Sequence, residues 1–230
     1  MKDADEIERI AAAAAMTDEL YGLLIERGMV GQTEAEVDGW LTGRMRDQGA
    51  EPSFPPIVAS GINGASPHAE PGPREIGPGE LVTVDMGVKL DGYCSDCTRT
   101  FATGPESRLD PLAREIYEVT LRANEAGLGA VKAGAIGSQV DEVARTVIRD
   151  AGYGDNFGHG LGHGVGLEIH EAPRLGPSSK DELMAGEIVT VEPGIYISGA
   201  TGVRIEDLVV VGENGVDRNL STVTKALTFV

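Results

Sequence analysis

The chain contains two related copies of one pattern. Gly79-Glu80-Leu81-Val82-Thr83-Val84-Asp85-Met86-Gly87 returns 107 positions later as Gly186-Glu187-Ile188-Val189-Thr190-Val191-Glu192-Pro193-Gly194; six of the nine positions are identical, and Asp85 gives way to the other acidic residue. Gly28, Gly31, Glu36 and Val37 recur as Gly134, Gly137, Glu142 and Val143, and Arg46-Asp47-Gln48-Gly49 recurs as Arg149-Asp150-Ala151-Gly152. Chance could match one such stretch but rarely three in the same order. The period is too long for a solenoid. It predicts two halves, about 1–109 and 110–230, packed about a pseudo-two-fold axis within a single domain.

Local patterning gives each half the order helix, helix, β-hairpin. Ile7, Ile10, Ala14, Leu20, Leu23 and Leu24 form a helical stripe over about 4–27, and Val37, Leu41 and Met45 form a second. Leu112, Ile116, Val119 and Ala123, then Val140, Val143, Ala144, Val147 and Ile148, are their counterparts, and Asp110-Pro111 reads as a helix cap followed by a first-turn proline. Segments 80–88 and 93–101 alternate as strands around Asp91-Gly92, a dipeptide suited to a tight hairpin turn. The expected class is α+β.

Charge removes several functions from consideration. With 19 Lys+Arg against 37 Asp+Glu the formal charge is −18, which repels phosphate backbones and anionic membrane surfaces, so neither nucleic acid nor membrane is an expected partner. The run Ala11 to Ala15 is too short and too closely flanked by charge for a signal core or a membrane span, and a cytoplasmic protein is expected. Cys94 and Cys97 alone cannot build a disulfide framework or a four-thiolate zinc site. On a strand they would face opposite ways, which reads as structural.

Some of the acids sit where acids are disfavoured. Alternation puts Asp85 with Thr83 and Gly87 on one face of a strand, and Asp96 with Cys94 and Thr98 on one face of the return strand, so the two carboxylates project together across a hairpin. Glu192 follows Val189-Thr190-Val191, and Glu206 interrupts the strand-like run from Val203 to Val210. Any one of these would read as a solvated sheet face; a pair repeated at matching places in both halves does not. Four converging carboxylates would carry about −4, which cannot stay ionised at close range without compensation. Two divalent cations supply it. Carboxylates with one imidazole favour manganese, cobalt or zinc over copper or a thiolate-bound metal.

Three of the four histidines, His159, His163 and His170, fall in or just after the run Gly158 to Gly166, which holds five glycines in nine residues. That density rules out a stable helix and predicts backbone packed close to a ligand, a metal or another strand. A phosphate loop is not expected, because the Gly-Lys-Ser/Thr ending is missing. His68 precedes the first hairpin much as His170 precedes the second, and alternation from Gly166 predicts a strand carrying His170.

These motifs resemble the pita-bread metallopeptidases, the family of methionine aminopeptidase, prolidase and aminopeptidase P, over essentially the whole chain. The resemblance implies the pita-bread fold, a curved, mainly antiparallel sheet between two pseudo-symmetric halves. It also implies five metal ligands, Asp85, Asp96, His163, Glu192 and Glu206. Asp96 and Glu206 would bridge two divalent ions, Asp85 would complete one site and His163 with Glu192 the other, with manganese ahead of cobalt or zinc. His68, His159, His170 and Arg204 match positions that contact substrate or steady the site.

A water bridging two such ions gives hydroxide near neutral pH; Glu192 could take its proton toward the leaving nitrogen, and His170 could stabilise the tetrahedral oxyanion. Leu167-Glu168-Ile169-His170-Glu171 followed by Pro173, and Arg204-Ile205-Glu206-Asp207, resemble the branch that cleaves Xaa-Pro bonds; methionine aminopeptidases usually lack an arginine two residues before the last ligand. The implied function is an exopeptidase acting on short peptides with proline second. Methionine aminopeptidase is the first alternative, and a non-peptide hydrolase or binding module on the same fold the second. That branch normally carries an additional N-terminal domain with no counterpart expected here, and the resemblance allows a homodimer.

Overall fold

The computed structural model describes all 230 residues. Four helices lie where the apolar stripes predict them: α1 (Ala4–Arg27), α2 (Glu34–Asp47), α3 (Pro111–Ala130) and α4 (Gly137–Asp150). Three begin at a side-chain cap. Asp3 with Glu6, and Thr33 with Glu36, exchange reciprocal hydrogen bonds with backbone N–H groups, and the Asp110 carboxylate accepts from Leu112 N–H with Pro111 in the first turn. Each cap satisfies a donor the helix leaves unpaired, which is worth about 1 kcal/mol.

Thirteen strands follow in two sets. The first half holds β1 (Glu51–Pro52), β2 (Ile57–Ser60), β3 (Leu81–Met86), β4 (Val88–Leu90), β5 (Tyr93–Cys94) and β6 (Cys97–Ala102). The second holds β7 (Gly162–Gly164), β8 (Glu171–Leu175), β9 (Ile188–Val191), β10 (Gly194–Ile197), β11 (Thr201–Arg204), β12 (Asp207–Val211) and β13 (Val216–Asn219). Every pairing within the sheets is antiparallel. They run β2-β3-β6 and β1-β4-β5 in the first half, β13-β12-β9-β7-β8 and β10-β11 in the second. The α+β class expected from the sequence is what the chain adopts.

Each predicted hairpin is a long ribbon that breaks midway and passes from one sheet into another. In the first, β3 pairs with β6 and β4 with β5, closing at Asp91 and Gly92, whose φ values of 49° and 88° suit a two-residue turn. In the second, β9 pairs with β12 and β10 with β11. The short strands β1, β2, β7 and β8 between helices and ribbons were not expected from the sequence.

One core packs Leu20, Leu24, Val37, Val82 and Val84 under α1 and α2; another packs Ile116, Ala123, Ala144, Val191 and Val209 under α3 and α4. Burying a side chain of this size contributes about 1.5–3 kcal/mol. The last residues return to the first half, where Ala102 N–H donates to the Thr228 carbonyl and Val230 N–H to the Ala102 carbonyl, both at 2.9 Å. No helix is long and apolar enough to cross a membrane.

Candidate metal centre and substrate cavity

Three of the four strand acids lie in breaks rather than on strands. Asp85 belongs to β3, but Asp96 falls between β5 and β6, Glu192 between β9 and β10, and Glu206 between β11 and β12. Where a ribbon changes sheets its peptide groups leave the ladder, and their carbonyls need donors from elsewhere. The helices provide them. In the first half the Tyr21 hydroxyl of α1 sits 2.8 Å from both the Val84 and Cys97 carbonyls. In the second, Asn124 of α3 donates through Nδ2 to the carbonyls of Val191 (2.9 Å) and Ile205 (3.3 Å).

The two ribbons are stitched to each other across the pseudo-symmetry axis. Glu206 N–H donates to the Thr98 carbonyl at 3.1 Å, and Arg204 N–H donates to Thr100 Oγ1, whose hydroxyl returns to the Arg204 carbonyl at 2.9 Å. This brings the acid pairs of both halves to one floor. All nine residues singled out in the sequence, Asp85, Asp96, His163, Glu192 and Glu206 with His68, His159, His170 and Arg204, line a single cavity of about 460 Å³.

Ligand atoms of Asp96, His163 and Glu206 lie within 4.8 Å of one another. His163 Nε2 is 3.2 Å from Glu192 Oε1 and 3.6 Å from Asp96 Oδ2. Asp85 stands outside that cluster, with Oδ2 held by Arg204 Nη2 at 2.7 Å. The Thr98 hydroxyl donates to Glu206 Oε2 at 2.7 Å and accepts from Arg204 Nε. Arg204 Nη1 reaches the Pro67 carbonyl and the Tyr196 hydroxyl, so the guanidinium is committed to steadying the site.

Electrostatics separates these acids. Burial pushes the Asp96 carboxyl well above its usual value and the charges of Glu206, Asp85 and Glu192 add to the shift; burial does the same to Glu206, reinforced by Glu192 and Asp85. Burial would also raise Glu192, but the hydrogen bond and charge of His163 overcome it and hold the carboxyl at about 2. Burial lowers His159 and His170, leaving both neutral at pH 7. Burial raises Asp85 as well, against the opposing charge of Arg204, and a floor of acids with three raised and one lowered suits a cation-binding or catalytic site.

The donor set fits divalent cations. Asp85 Oδ1 and Glu206 Oε1 are buried without any hydrogen-bond partner from the protein, a costly arrangement unless the oxygens coordinate something. Four carboxylates and one imidazole, hard oxygen donors with a single nitrogen, match manganese, cobalt or zinc.

The glycine run meets neighbouring backbone. A Cβ at Gly162 would run into the Thr190 carbonyl, and one at Gly164 into the Ala172 carbonyl. Only glycine lets β7 lie this close to its neighbours with His163 facing the cavity. His170 is not on the predicted strand: it sits in a bend immediately before β8, because the ladder between β7 and β8 begins only at Glu171. Its ring lies 4.3 Å from that of His163.

Sequence reasoning passed over other wall residues. Phe54, Ile57, Pro67 and Arg174 line the cavity. The supports Tyr196, Thr98 and Thr190 were also missed, although Thr190 repeats Thr83 in the duplicated segment; its hydroxyl donates to Glu192 at 3.0 Å and accepts from His163 N–H. Cys94 and Cys97 are both buried and unpaired.

The sequence profile of metallopeptidase family M24 matches residues 1–213. A Xaa-Pro dipeptidase of Pyrococcus furiosus is 41% identical over 223 residues, covering 96% of this chain and 63% of that protein. Among solved structures, a Xaa-Pro dipeptidase from Bacillus anthracis superposes with a TM-score of 0.96 at 42% identity, and an X-Pro aminopeptidase from Thermotoga maritima with 0.95 at 37%; each match covers 100% of this chain and 64% of the other. The chain therefore spans less than two thirds of the length of these relatives, and it shares with them the pita-bread fold.

Proposed function

Because the chain belongs to metallopeptidase family M24, we propose that it is a single catalytic domain that hydrolyses the bond between an N-terminal residue and proline in short peptides. The observation that carries this is the convergence of Asp85, Asp96, His163, Glu192 and Glu206 in one cavity, with two carboxylate oxygens left without protein partners. These five residues would hold two divalent cations, manganese by preference, and such cations lower the pKa of water and polarise a carbonyl.

The chain's own residues do the rest. On this reading Asp96 and Glu206, one from each half, would be shared by both ions, Asp85 would complete one site, and His163 with Glu192 would complete the other. Glu192, ionised beside His163, would be the carboxylate placed to accept a proton and pass it toward the leaving nitrogen. His170, neutral and exposed at the cavity wall, can donate to the oxygen that gains charge. His68 and His159 line the same cavity from separate loops and would orient the peptide, while Arg204 keeps the Asp85 carboxylate aimed. A cavity of about 460 Å³ accommodates a short peptide. The cytoplasm is the compartment this reading assigns.

A panel of Xaa-Pro, Xaa-Pro-Yaa and Met-Ala peptides with manganese, cobalt or zinc tests the proposal. Cleavage of Xaa-Pro at least about tenfold faster than Met-Ala, about 1.4 kcal/mol in transition-state binding, is expected. The reverse ranking points to a methionine aminopeptidase, and no cleavage of either by metal-loaded protein to a non-peptide hydrolase or binding module.

A further inference from the structure

Outside the cavity, one ion pair grips the glycine-rich loop that carries His159. Asp141 and Arg145 stand one turn apart on α4 and join fork to fork, Nε to Oδ2 at 2.7 Å and Nη2 to Oδ1 at 2.9 Å. Asp141 is fully buried. The pair's remaining bonds all go to the loop: Arg145 Nη1 donates to the Phe157 carbonyl (2.9 Å), Nη2 to the His159 carbonyl (2.7 Å), and Asp141 Oδ1 accepts from Leu161 N–H (3.0 Å). The guanidinium also covers the Phe157 ring, 4.1 Å from its centroid. Three alternate residues, 157, 159 and 161, are thus fixed in a stretch whose interleaved glycines, Gly158 and Gly160, would otherwise leave it mobile.

What this grip sets is the His159 ring. It meets Phe157 edge-on at 5.0 Å, and its Nε2 lies 2.9 Å from the Tyr196 hydroxyl. That hydroxyl accepts from Arg204, which holds Asp85. A continuous line of contacts runs from α4 through the loop to the floor of the cavity.

We propose that Arg145 is a positioning residue: with Asp141 it fixes the 157–161 loop so that His159 presents its ring to Tyr196 and to the substrate. The kinetic consequence rests on the peptidase reading; the structural one does not. Lysine cannot substitute, because a point charge cannot hold a carboxylate and two carbonyls in one plane. Misplacing a substrate-facing group by about 1 Å can cost up to about 10²-fold in rate.

The test uses the intact chain with Arg145→Met and Arg145→Lys, each checked for folding and metal content. With isotope-labelled histidine, and the His159 signals assigned by their loss in His159→Ala, both variants should shift the His159 ring resonances and leave those of His68 in place. Unchanged His159 signals in a folded variant overturn the proposal. With the metal-loaded enzyme and an Xaa-Pro peptide, Arg145→Met should lower kcat/KM about tenfold alone but less than about twofold in the His159→Ala background, because the two act as one unit. Equal losses in both backgrounds, metal loss in proportion to activity, or full activity in Arg145→Lys would each overturn it. Should Arg145→Met fail to fold, Arg145→Lys, which keeps a charge beside Asp141, carries the same measurements. Failure of the unaltered enzyme to cleave any Xaa-Pro peptide sinks the peptidase reading, and the ring signals then decide by themselves whether Arg145 positions His159.

Discussion

The two halves meet the same backbone demand with different side chains. In the first, one tyrosine hydroxyl on α1 lies against both carbonyls freed beside Asp85 and Asp96; in the second, an asparagine on α3 donates to both carbonyls freed beside Glu192 and Glu206. Their helix capping has also diverged, and so has the strand facing the floor. Counting from Ser60↔Val82 and Gly164↔Val189, Ala59 on β2 is the counterpart of His163 on β7. The duplication preserves the broken ribbons that deliver an acid pair, while the imidazole entered one half alone. That difference makes the proposed site asymmetric, two carboxylates from one half and two carboxylates with a histidine from the other.

The largest expected effect comes from the two acids proposed to be shared between the ions. Glu206→Ala and Asp96→Ala should each drop metal from about two per chain toward none and abolish peptide cleavage, about 10³-fold or more, because a shared ligand belongs to both ions. Asp85→Ala should retain roughly one ion. Metal analysis after dialysis into manganese distinguishes these; full activity of Asp96→Ala in excess chelator would break the two-ion reading.

A smaller loss separates chemistry from ligation. His170→Ala should keep its metal yet lower kcat by about 10²-fold, as for a lost donor to a developing oxyanion. Metal loss in proportion to activity would make His170 a ligand and displace His163 from that role.

Much of this site was legible because acid pairs repeated at matching positions are informative where single acids are not. Alternation gave the correct facing of Asp85 and Thr98, which are register partners. It could not show that Asp96, Glu192 and Glu206 lie in breaks, since a two-residue interruption preserves the parity of the pattern. The short strands left too few residues to show a period. Asp141 and Arg145, spaced i to i+4, look like any solvated helix pair, and only the packing of α4 against the loop reveals their use. Tyr21 and Asn124 lie among apolar neighbours of their stripes, and their carbonyl partners are 63 to 81 residues away.

Stability against pH sharpens the contrast between the raised acids and the lowered one. Asp96 and Glu206, raised in the folded chain, bind protons there that the unfolded chain has released, so chelated protein loses stability as pH rises above about 4–5. Glu192, lowered to about 2, contributes stability above its unfolded value that is lost as pH falls from about 4.5 toward 2. His163, raised beside Glu192, adds to the loss at rising pH. Thermal melts in chelator should therefore be best at mildly acidic pH, and manganese should rescue the melting temperature most at about pH 7–8. A chelated protein whose melting temperature climbs steadily to pH 8, indifferent to manganese, would contradict the buried acid floor.

The smallest effects bear directly on the paired supports. Asn124→Ala strips donors from the Val191 and Ile205 carbonyls and an acceptor from Lys225, whose ammonium also pairs with Asp207. Each buried group left unsatisfied costs about 1–3 kcal/mol, so a loss of about 2–4 kcal/mol in denaturant unfolding is expected. Tyr21→Phe removes a single proton shared between two carbonyls and keeps the ring against Phe101, 6.0 Å between centroids, so about 1 kcal/mol is expected. If the tyrosine and asparagine supports do matching work, both variants should weaken manganese binding in proportion to these losses, since each stands directly behind an acid pair. An Asn124→Ala chain with unaltered metal affinity would show instead that Thr98, Arg204 and the cross-stitched ribbons hold the floor without help from the helices.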